Sequence, residues 1–268
     1  YVDMEYGTGC VKITPSHDPN DFEVGARHKL GQCVVIDTKG HITDEYGKYS
    51  GLDRYEARKQ IIEQLEDEGY LEKIETLTHA VGYSERTNVV IEPLISKQWF
   101  VKMDELAKMA ADVYQDGELQ LIPDSLGKTY MNWLNNIRDW TISRQLWWGH
   151  RLPVFYTDDG EIIVSEDDPD EEGKLNGVHV TQEEDTLDTW FSSALWPFAT
   201  LGWPNENKKL DYFFPTDILV TGYDIIFFWV IRMVFSSLYT TGKVPFDHVL
   251  FTGLIRDPQG RKMSKSLG

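Results

Sequence analysis

Two lysines and two serines near the end of the chain form the pattern with the clearest chemistry. The stretch Lys262, Met263, Ser264, Lys265 and Ser266 supplies two ammonium groups, two hydroxyls and backbone N–H donors. Lysine is a compact, mobile point charge, which suits phosphate groups whose negative charge moves during a reaction. A short basic run by itself is typical of a solvated loop. Here the run follows an apolar strand and a glycine turn, so we predict that it binds phosphate.

The elements before this loop have the form of half a βαβ unit. An apolar strand, residues 218–221, leads into Gly222, and Asp224 then begins a helix that is apolar nearly all round. A second strand, residues 247–253, follows after a short loop. Ligands of such sheets bind at the carboxyl ends of the strands, which predicts a ligand site beside Gly222 and Asp224. Asp224 is equally suited to be a plain helix N-cap.

The net charge of −18 argues against a general nucleic-acid-binding surface. The charge is concentrated, because residues 158–188 hold 13 acidic side chains and one lysine. This acidic insert shows no helical or strand period, so we expect it to be a solvated excursion. The remainder is mildly acidic and leaves room for a local phosphate site.

The two cysteines, Cys10 and Cys33, form no CxxC pair, which favours a reducing, cytoplasmic location without disulfides. The most apolar run, residues 225–238, is too short to span a bilayer and contains Arg232. We therefore expect no membrane association.

Two domains are expected, at residues 1–95 and 96–268, with the acidic insert inside the second. In the first, Asp53 and Glu56 predict a capping box for a helix that ends at Gly69, and the remainder alternates short strands with loops. In the second, residues 104–114 predict an amphipathic helix. The chain opens on Tyr1 within what reads as strand and turn, so we expect an internal piece of a longer protein.

The terminal loop resembles the KMSKS signature of the class I aminoacyl-tRNA synthetases. Longer phrases, "VTGYDIIFFWVIRM", "RDWTISRQLWWGHRLPVFY", "DTLDTWFSSALWPFATLGWP" and "GTGCVKITPSHDPNDFEVG", resemble the valyl-tRNA synthetases within that class. The resemblance implies an α/β fold. Residues 1–95 would be the C-terminal part of an editing domain of β-strands with helices, and residues 96–268 the second half of a Rossmann-like catalytic domain. Isoleucyl- and leucyl-tRNA synthetases share this layout and remain alternatives.

The resemblance also implies residue roles. Lys262 and Lys265 would clamp the pyrophosphate of ATP, together with Met263, Ser264 and Ser266. Gly222 and Asp224 would hold the adenosine ribose, since a carboxylate accepts hydrogen bonds from two hydroxyls well. The side chain of the amino acid would lie between Trp190 and Trp229, in a pocket sized by Ile225. Three residues of "SRQLWWGH" are expected to line or support the same cleft: Arg144, Trp147 and Trp148. His150 is expected to be a hydrogen-bonded residue and not a catalyst.

A second site is implied in the N-terminal loop "KITPSHDPND". By resemblance, Asp21 would bind the substrate α-amino group, and Asp18, with Lys12 and Thr14, would recognise a side-chain hydroxyl. Composition alone favours a loop rich in Asx turns instead. The site would hydrolyse threonine from mischarged tRNA by attack of water, with His17 as a possible base.

The implied parent enzyme joins valine to tRNA(Val) with ATP and Mg²⁺, edits Thr-tRNA(Val), and is expected to be monomeric. The HIGH-type motif of the class is absent from this sequence, so we expect the isolated chain to be inactive and to self-associate through exposed apolar surface. No cysteine follows "WGHRLPVFY", so we predict no structural zinc and no other metal site. Rival hypotheses are a free-standing aminoacyl-tRNA deacylase and a nucleotide- or tRNA-binding module without chemistry.

Overall fold

A computed structural model of the chain describes residues 2–5, 8–84 and 87–263. The chain divides into two compact units, Tyr1–Lys97 and Gln98–Gly268. The division falls two residues after the boundary expected from the sequence.

The first unit contains two helices, α1 (Pro19–His28) and α2 (Arg54–Asp67), and a 3₁₀ turn at Gly47–Tyr49. The predicted helix after Asp53 is α2, and the Asp53 carboxylate accepts a hydrogen bond from Tyr55 N at 2.9 Å. Glu56 does not act as expected of a capping box, because its carboxylate accepts instead from Gln60 Nε2 at 3.0 Å. Where strands were expected, the described residues of this unit pair through isolated bridges, such as Ile36 with Ile42.

The second unit carries the larger core. Its helices are α3 (Asp104–Gln115), α4 (Gly127–Asn135), α5 (Thr189–Ala194), α6 (Trp196–Ala199), α7 (Lys208–Phe213) and α8 (Arg232–Thr241). Its strands are β1 (Phe100–Val101), β2 (Gln120–Ile122), β3 (Trp140–Thr141), β4 (Ser143–Arg144), β5 (Val154–Thr157), β6 (Ile162–Val164), β7 (Lys174–Leu175), β8 (Val178–Gln182), β9 (Thr186–Leu187), β10 (Thr216–Gly222) and β11 (Phe246–Thr252).

A parallel sheet in the order β10-β11-β2 forms the centre of this unit. Both β10 and β11 end at the same edge, where Gly222 is the register partner of Thr252. After β10 the chain makes a 3₁₀ turn at Tyr223–Ile225 and a π-helix at Ile226–Ile231, and then continues as α8. The strand, glycine turn and buried helix predicted from the sequence are therefore present. Residues of α3, α4, the π-helix, α8 and the sheet share one buried core.

The acidic insert is not the solvated excursion that was expected. Strands β6, β5, β8 and β7 form a four-stranded antiparallel sheet in that order. Phe155, Leu175 and Val180 are nearly fully buried and form a separate small core beneath it. The sequence did not show a strand pattern here, because each strand is only two to five residues long and contributes few inward-facing apolar residues.

The apolar helix Tyr223–Thr241 is longer than the sequence suggested. At 19 residues, with a mean hydropathy of 1.3, it is long and apolar enough to cross a membrane by length and composition alone. Core helices of soluble proteins meet the same criterion. In this chain Ile226, Val230, Ile231 and Val234 are buried in the core of the second unit, which is the environment that their apolar side chains require.

Candidate functional site

The carboxyl ends of β10 and β11 bring two predicted site residues into contact. The ammonium group of Lys262 donates a hydrogen bond to Asp224 Oδ2. The side chain of Lys262 is exposed, whereas that of Asp224 is largely buried. Asp224 lies inside the 3₁₀ turn, and the N-cap position of that turn is Gly222.

Position 222 requires a glycine because the side chains of Asp224 and Leu254 lie close to its Cα atom. A Cβ atom at this position would lie 2.5 Å from Asp224 Oδ1 and 3.2 Å from Leu254 Cδ2. The backbone angle φ of −72° is open to any residue, so the constraint is steric. The missing side chain leaves the space that the Asp224 carboxylate occupies.

A tight turn precedes Lys262 and is closed by Asp257. Its carboxylate accepts hydrogen bonds from Gln259 N at 3.0 Å, Arg261 N at 2.8 Å and Arg261 Nε at 2.6 Å. Burial acts to raise the pKa of Asp257, but these hydrogen bonds outweigh it and hold the pKa below its usual value. Arg256 Nη2 donates to Tyr223 Oη at 3.2 Å, which ties the turn to the beginning of the helix after β10.

Met263 is exposed and follows Lys262 at the end of the described range. Three further predicted phosphate-binding residues, Ser264, Lys265 and Ser266, lie outside the described residues.

The two predicted tryptophan walls lie on neighbouring helices. Trp190 is on α5, and its ring stacks on Phe228 with centroids 5.6 Å apart. Trp229 is on the π-helix, and its Nε1 donates a hydrogen bond to Ser193 O of α5 at 3.1 Å. Both tryptophans are partly buried against the core. Short π-helical segments occur frequently at functional sites.

Ile225 is the residue after Asp224 and is half-buried. It is the last residue of the 3₁₀ turn, directly before the π-helix that carries Trp229. The predicted ribose contact and the predicted amino-acid pocket are therefore continuous along the chain.

A buried ion cluster that the sequence did not reveal adjoins these helices. Asp188 Oδ2 accepts hydrogen bonds from Trp140 Nε1 at 2.9 Å and Arg232 Nη1 at 3.3 Å, and lies 3.1 Å from Arg144 Nη2. Arg232 could have signalled this cluster, because a charge in an otherwise apolar helix needs a partner when it is buried. The Arg144 side chain points into this cluster, so it supports the helices as expected.

The neighbours of Arg144 differ from expectation. Trp147 and Trp148 are fully or almost fully exposed, at 106% and 93%. They do not support the cleft, because side chains this exposed make no packed contact. His150 is also exposed, and its backbone oxygen accepts from Leu187 N at 2.7 Å.

In the first unit the predicted editing residues are partly brought together. Lys12 Nζ donates to Thr14 Oγ1 at 3.2 Å, and Thr14 donates from N at 2.8 Å and from Oγ1 at 3.1 Å to Asp21 Oδ2. Asp21 is buried. Asp18 caps α1, with Oδ1 accepting from Asn20 N at 2.8 Å and Asp21 N at 2.9 Å. The Asx-turn alternative thus describes Asp18 well, whereas Lys12, Thr14 and Asp21 form a polar cluster.

His17 is held by the backbone on both ring nitrogens. Nδ1 lies 3.0 Å from Pro93 O, and Nε2 accepts a hydrogen bond from Val35 N at 2.8 Å. Both ring nitrogens are thus engaged by backbone groups. His17 therefore joins three segments of the first unit, and its nitrogens are not offered to an attacking water.

Comparison with known proteins decides the family. Residues 20–268 match the family described as tRNA synthetases class I (I, L, M and V). The chain belongs to these class I tRNA synthetases. The α/β fold with a Rossmann-like catalytic region is thereby confirmed, in agreement with the parallel sheet of the second unit.

Within the class I tRNA synthetases, similar proteins carry the name valine--tRNA ligase. The chain is 60% identical to that of Clostridium acetobutylicum and 59% identical to that of Symbiobacterium thermophilum, each over 269 aligned positions and the whole of this chain. The resemblance to the valyl branch is confirmed. The chain spans about 30% of the length of these relatives.

Among solved structures, methionyl-tRNA synthetase of Mycobacterium tuberculosis bound by methionyl-adenylate matches with a TM-score of 0.48 and 17% identity, over 72% of this chain and 33% of that one. A ternary complex of Agrobacterium radiobacter LeuRS with tRNA and LeuAMS matches with a TM-score of 0.39 and 22% identity, over 49% of this chain and 22% of that one.

Proposed function

We propose that this chain is the part of a valine–tRNA ligase that holds the adenosine, one side of the pyrophosphate and the valine side chain. The contact between Lys262 and Asp224 at the carboxyl ends of two parallel strands carries this proposal. In this proposal Lys262 is the cation for phosphate and Asp224 is the carboxylate for the ribose. Asp224 also lies directly before the π-helix that carries Trp229. The 55–60% identity to valine--tRNA ligases supports it.

In the first reaction a carboxylate oxygen of valine attacks the α-phosphorus of ATP. The bond from that phosphorus to the bridging oxygen breaks, and pyrophosphate leaves with the bonding electrons. Asp224 accepts hydrogen bonds from the ribose hydroxyls. The ammonium groups of Lys262 and Lys265 neutralise the negative charge that grows on the departing pyrophosphate. In the second reaction a ribose hydroxyl at the end of tRNA attacks the valyl carbonyl, and AMP leaves.

Magnesium enters this reaction as the counterion of the substrate ATP. Mg²⁺ is usually bound through substrate phosphates, water and one or two carboxylates. In the part of the chain that the structure describes, no group of three or more His, Cys, Asp or Glu side chains is placed to hold a metal. Asp224 is the carboxylate that contacts Lys262. The absence of structural zinc remains a prediction.

Valine specificity is assigned to the space between α5 and the π-helix. Trp190 and Trp229 are large, flat and partly buried, and Ile225 lies between Asp224 and the π-helix. A pocket of fixed width with apolar walls admits a β-branched side chain and rejects longer ones by steric overlap. It discriminates weakly against threonine, whose hydroxyl replaces a methyl group, as is the case for valyl enzymes.

This weakness motivates a second proposed activity, hydrolysis of Thr-tRNA(Val) in the first unit. Lys12, Thr14 and Asp21 form a hydrogen-bonded polar cluster that suits a substrate with an amino group and a hydroxyl. Asp18 is committed to the cap of α1, so we assign it the positioning of Asp21 through the Asp21 N hydrogen bond. Water is the proposed nucleophile.

The proposed partners are valine, ATP and tRNA(Val), in the cytoplasm, without a membrane. The free cysteines Cys10 and Cys33 suit a reducing compartment. The parent enzyme is proposed to be a monomer, and the isolated chain is proposed to self-associate.

The test uses a chimera in which this chain replaces the 269 aligned positions of the Clostridium acetobutylicum protein. We expect ATP–pyrophosphate exchange that depends on valine and is at least tenfold weaker with isoleucine, leucine or methionine. The Lys262→Ala variant should lose most of this exchange.

Preference for another amino acid would contradict the valine assignment. Deacylation of Thr-tRNA without exchange would favour the deacylase, and ATP or tRNA binding without either reaction would favour a binding module. Exchange by the isolated chain would contradict its expected inactivity.

A further inference from the structure

The cluster around Asp188 joins four elements of the second unit through one buried carboxylate. Trp140 of β3, Arg144 of β4 and Arg232 of α8 all contact Asp188 Oδ2, at 2.9, 3.1 and 3.3 Å. Asp188 and Arg232 are each 6% exposed. Such a buried pair stabilises one arrangement of its elements only when every member keeps its partners.

Asp188 occupies the N-cap position of α5 yet makes no capping hydrogen bond. Aspartate at this position ordinarily accepts from the N–H groups of the first helical turn. Here the carboxylate is directed into the core, toward Arg232. The local preference of the residue is therefore overridden by a contact between helices, which is a pattern expected at functional or strained sites.

Two guanidinium groups share this one carboxylate. Burial lowers the pKa of Arg232 to about 10, the charge of Asp188 opposes that change, and Arg144 adds to it. Arg232 stays protonated at neutral pH. Its guanidinium also lies 3.9 Å from the centroid of the Trp140 ring, a cation–π contact that compensates part of the lost hydration.

Asp188 and Arg232 each lie close in sequence to one of the two tryptophans that are proposed to bound the amino-acid pocket. Asp188 lies two residues before Trp190, and Arg232 lies three residues after Trp229. Helix α5 also contacts the π-helix that precedes α8, through the hydrogen bond from Trp229 Nε1 to Ser193 O and through the stack of Trp190 on Phe228. A shift of α5 against the π-helix and α8 would therefore move Trp190 relative to Trp229.

We infer that Asp188, with Arg144 and Arg232, is a positioning residue that sets the width of the amino-acid pocket. This inference rests on the proposed function, because it assumes that Trp190 and Trp229 bound the valine side chain. A residue that only stabilises the fold would change the amount of active protein, whereas a positioning residue changes which side chain fits.

The test is Asp188→Asn in the chimera, because the amide keeps the shape and an acceptor for Trp140 but removes the charge shared by Arg144 and Arg232. We expect KM for valine to rise about tenfold, with KM for ATP unchanged. The preference for valine over isoleucine should fall by a similar factor, since one methylene is worth about 10- to 200-fold in such a pocket. Active-site titration corrects kcat for the folded fraction.

The matched control is Val249→Ala, which creates a cavity in the same core but leaves all four cluster residues in place. Val249 is fully buried in β11. The control should lower thermal stability and leave KM for valine and the valine-to-isoleucine preference unchanged. If Asp188→Asn behaves like this control, the inference is overturned.

A second variant covers the case in which Asp188→Asn does not fold. Arg144 is partly exposed. The Arg144→Lys substitution keeps the positive charge but removes the planar guanidinium group and its fixed set of hydrogen-bond donors. A rise in KM for valine with a reduced valine-to-isoleucine preference supports the inference, and unchanged values overturn it. If the unsubstituted chimera does not use valine, the proposed function fails and the inference fails with it. If valine is used and both variants keep its preference, the inference alone fails.

Discussion

The substitution Gly222→Ala gives a sharp test of the ribose site, because its closest steric overlap falls on the Asp224 carboxylate. The new Cβ would lie 2.5 Å from Asp224 Oδ1, far inside van der Waals contact. That oxygen is the end of a side chain, so the overlap is relieved most easily by rotation of the carboxylate. The backbone of β10 need not move, since its φ of −72° at Gly222 suits alanine.

We expect the Gly222→Ala substitution to weaken the binding of ATP. A carboxylate that holds a ribose accepts two hydroxyl hydrogen bonds. A hydrogen bond to a charged group contributes about 1.5 to 3 kcal/mol, and loss of one therefore weakens binding about 10- to 100-fold. We expect KM for ATP in the chimera to rise by that factor, with a small change in KM for valine.

Gly253→Ala is the matched control. Gly253 follows β11 at the same edge of the sheet, and a Cβ there would meet nothing within 4 Å. Pyrophosphate exchange at varied ATP, with thermal unfolding of each variant, separates binding from stability. Equal KM values for ATP in the two variants would refute the assignment of Asp224 to the ribose.

Three further outcomes are expected in the 268-residue chain. Asp18→Ala should lower the free energy of unfolding of the first unit by about 1 kcal/mol through loss of the α1 cap, measured by urea denaturation; an unchanged midpoint would argue against the cap. Phe155→Ala should destabilise the small sheet by about 3 to 5 kcal/mol and increase amide exchange across residues 154–182, whereas Ile162→Ala, on an exposed position of β6, should not. The pKa of Asp257 is lowered in the folded chain. The ionised carboxylate should therefore stabilise the turn before Lys262 fully above the unfolded pKa of about 4. This stabilisation should be lost as the pH falls through the pKa of the folded chain. NMR shifts of the 257–261 amides report this, and the same transition in Asp257→Asn would contradict it.

Sequence patterns predicted the elements whose signal is local. Residues 104–114 show apolar side chains at helical spacing, and α3 is observed at Asp104–Gln115. The apolar strand before Gly222 and the helix after it are likewise present. In each case the apolar pattern lies within the element itself, so no distant contact is needed to predict that the element is present.

Elements that depend on distant partners could not be predicted. Strand β2 has three residues and is defined by pairing with β11, more than 120 positions away. The π-helix has no local signal, because the segment is apolar on nearly every face. Asp188 resembles a helix cap in sequence, and only the packing of α8 shows that its carboxylate binds Arg232. The basic run and the strand–turn–helix pattern predicted Lys262 and Asp224 as site residues, and the family resemblance gave their expected roles. Their contact could be seen only in the fold.

The most direct test of the central claim is a crystal structure of the chimera with a non-hydrolysable valyl-adenylate analogue. We expect both ribose hydroxyls to lie within hydrogen-bond distance of the Asp224 carboxylate, and the valyl side chain to lie between Trp190 and Trp229. We also expect Lys262 Nζ to leave Asp224. An analogue bound away from the carboxyl ends of β10 and β11, with the contact between Lys262 and Asp224 intact, would refute the proposed adenylate site.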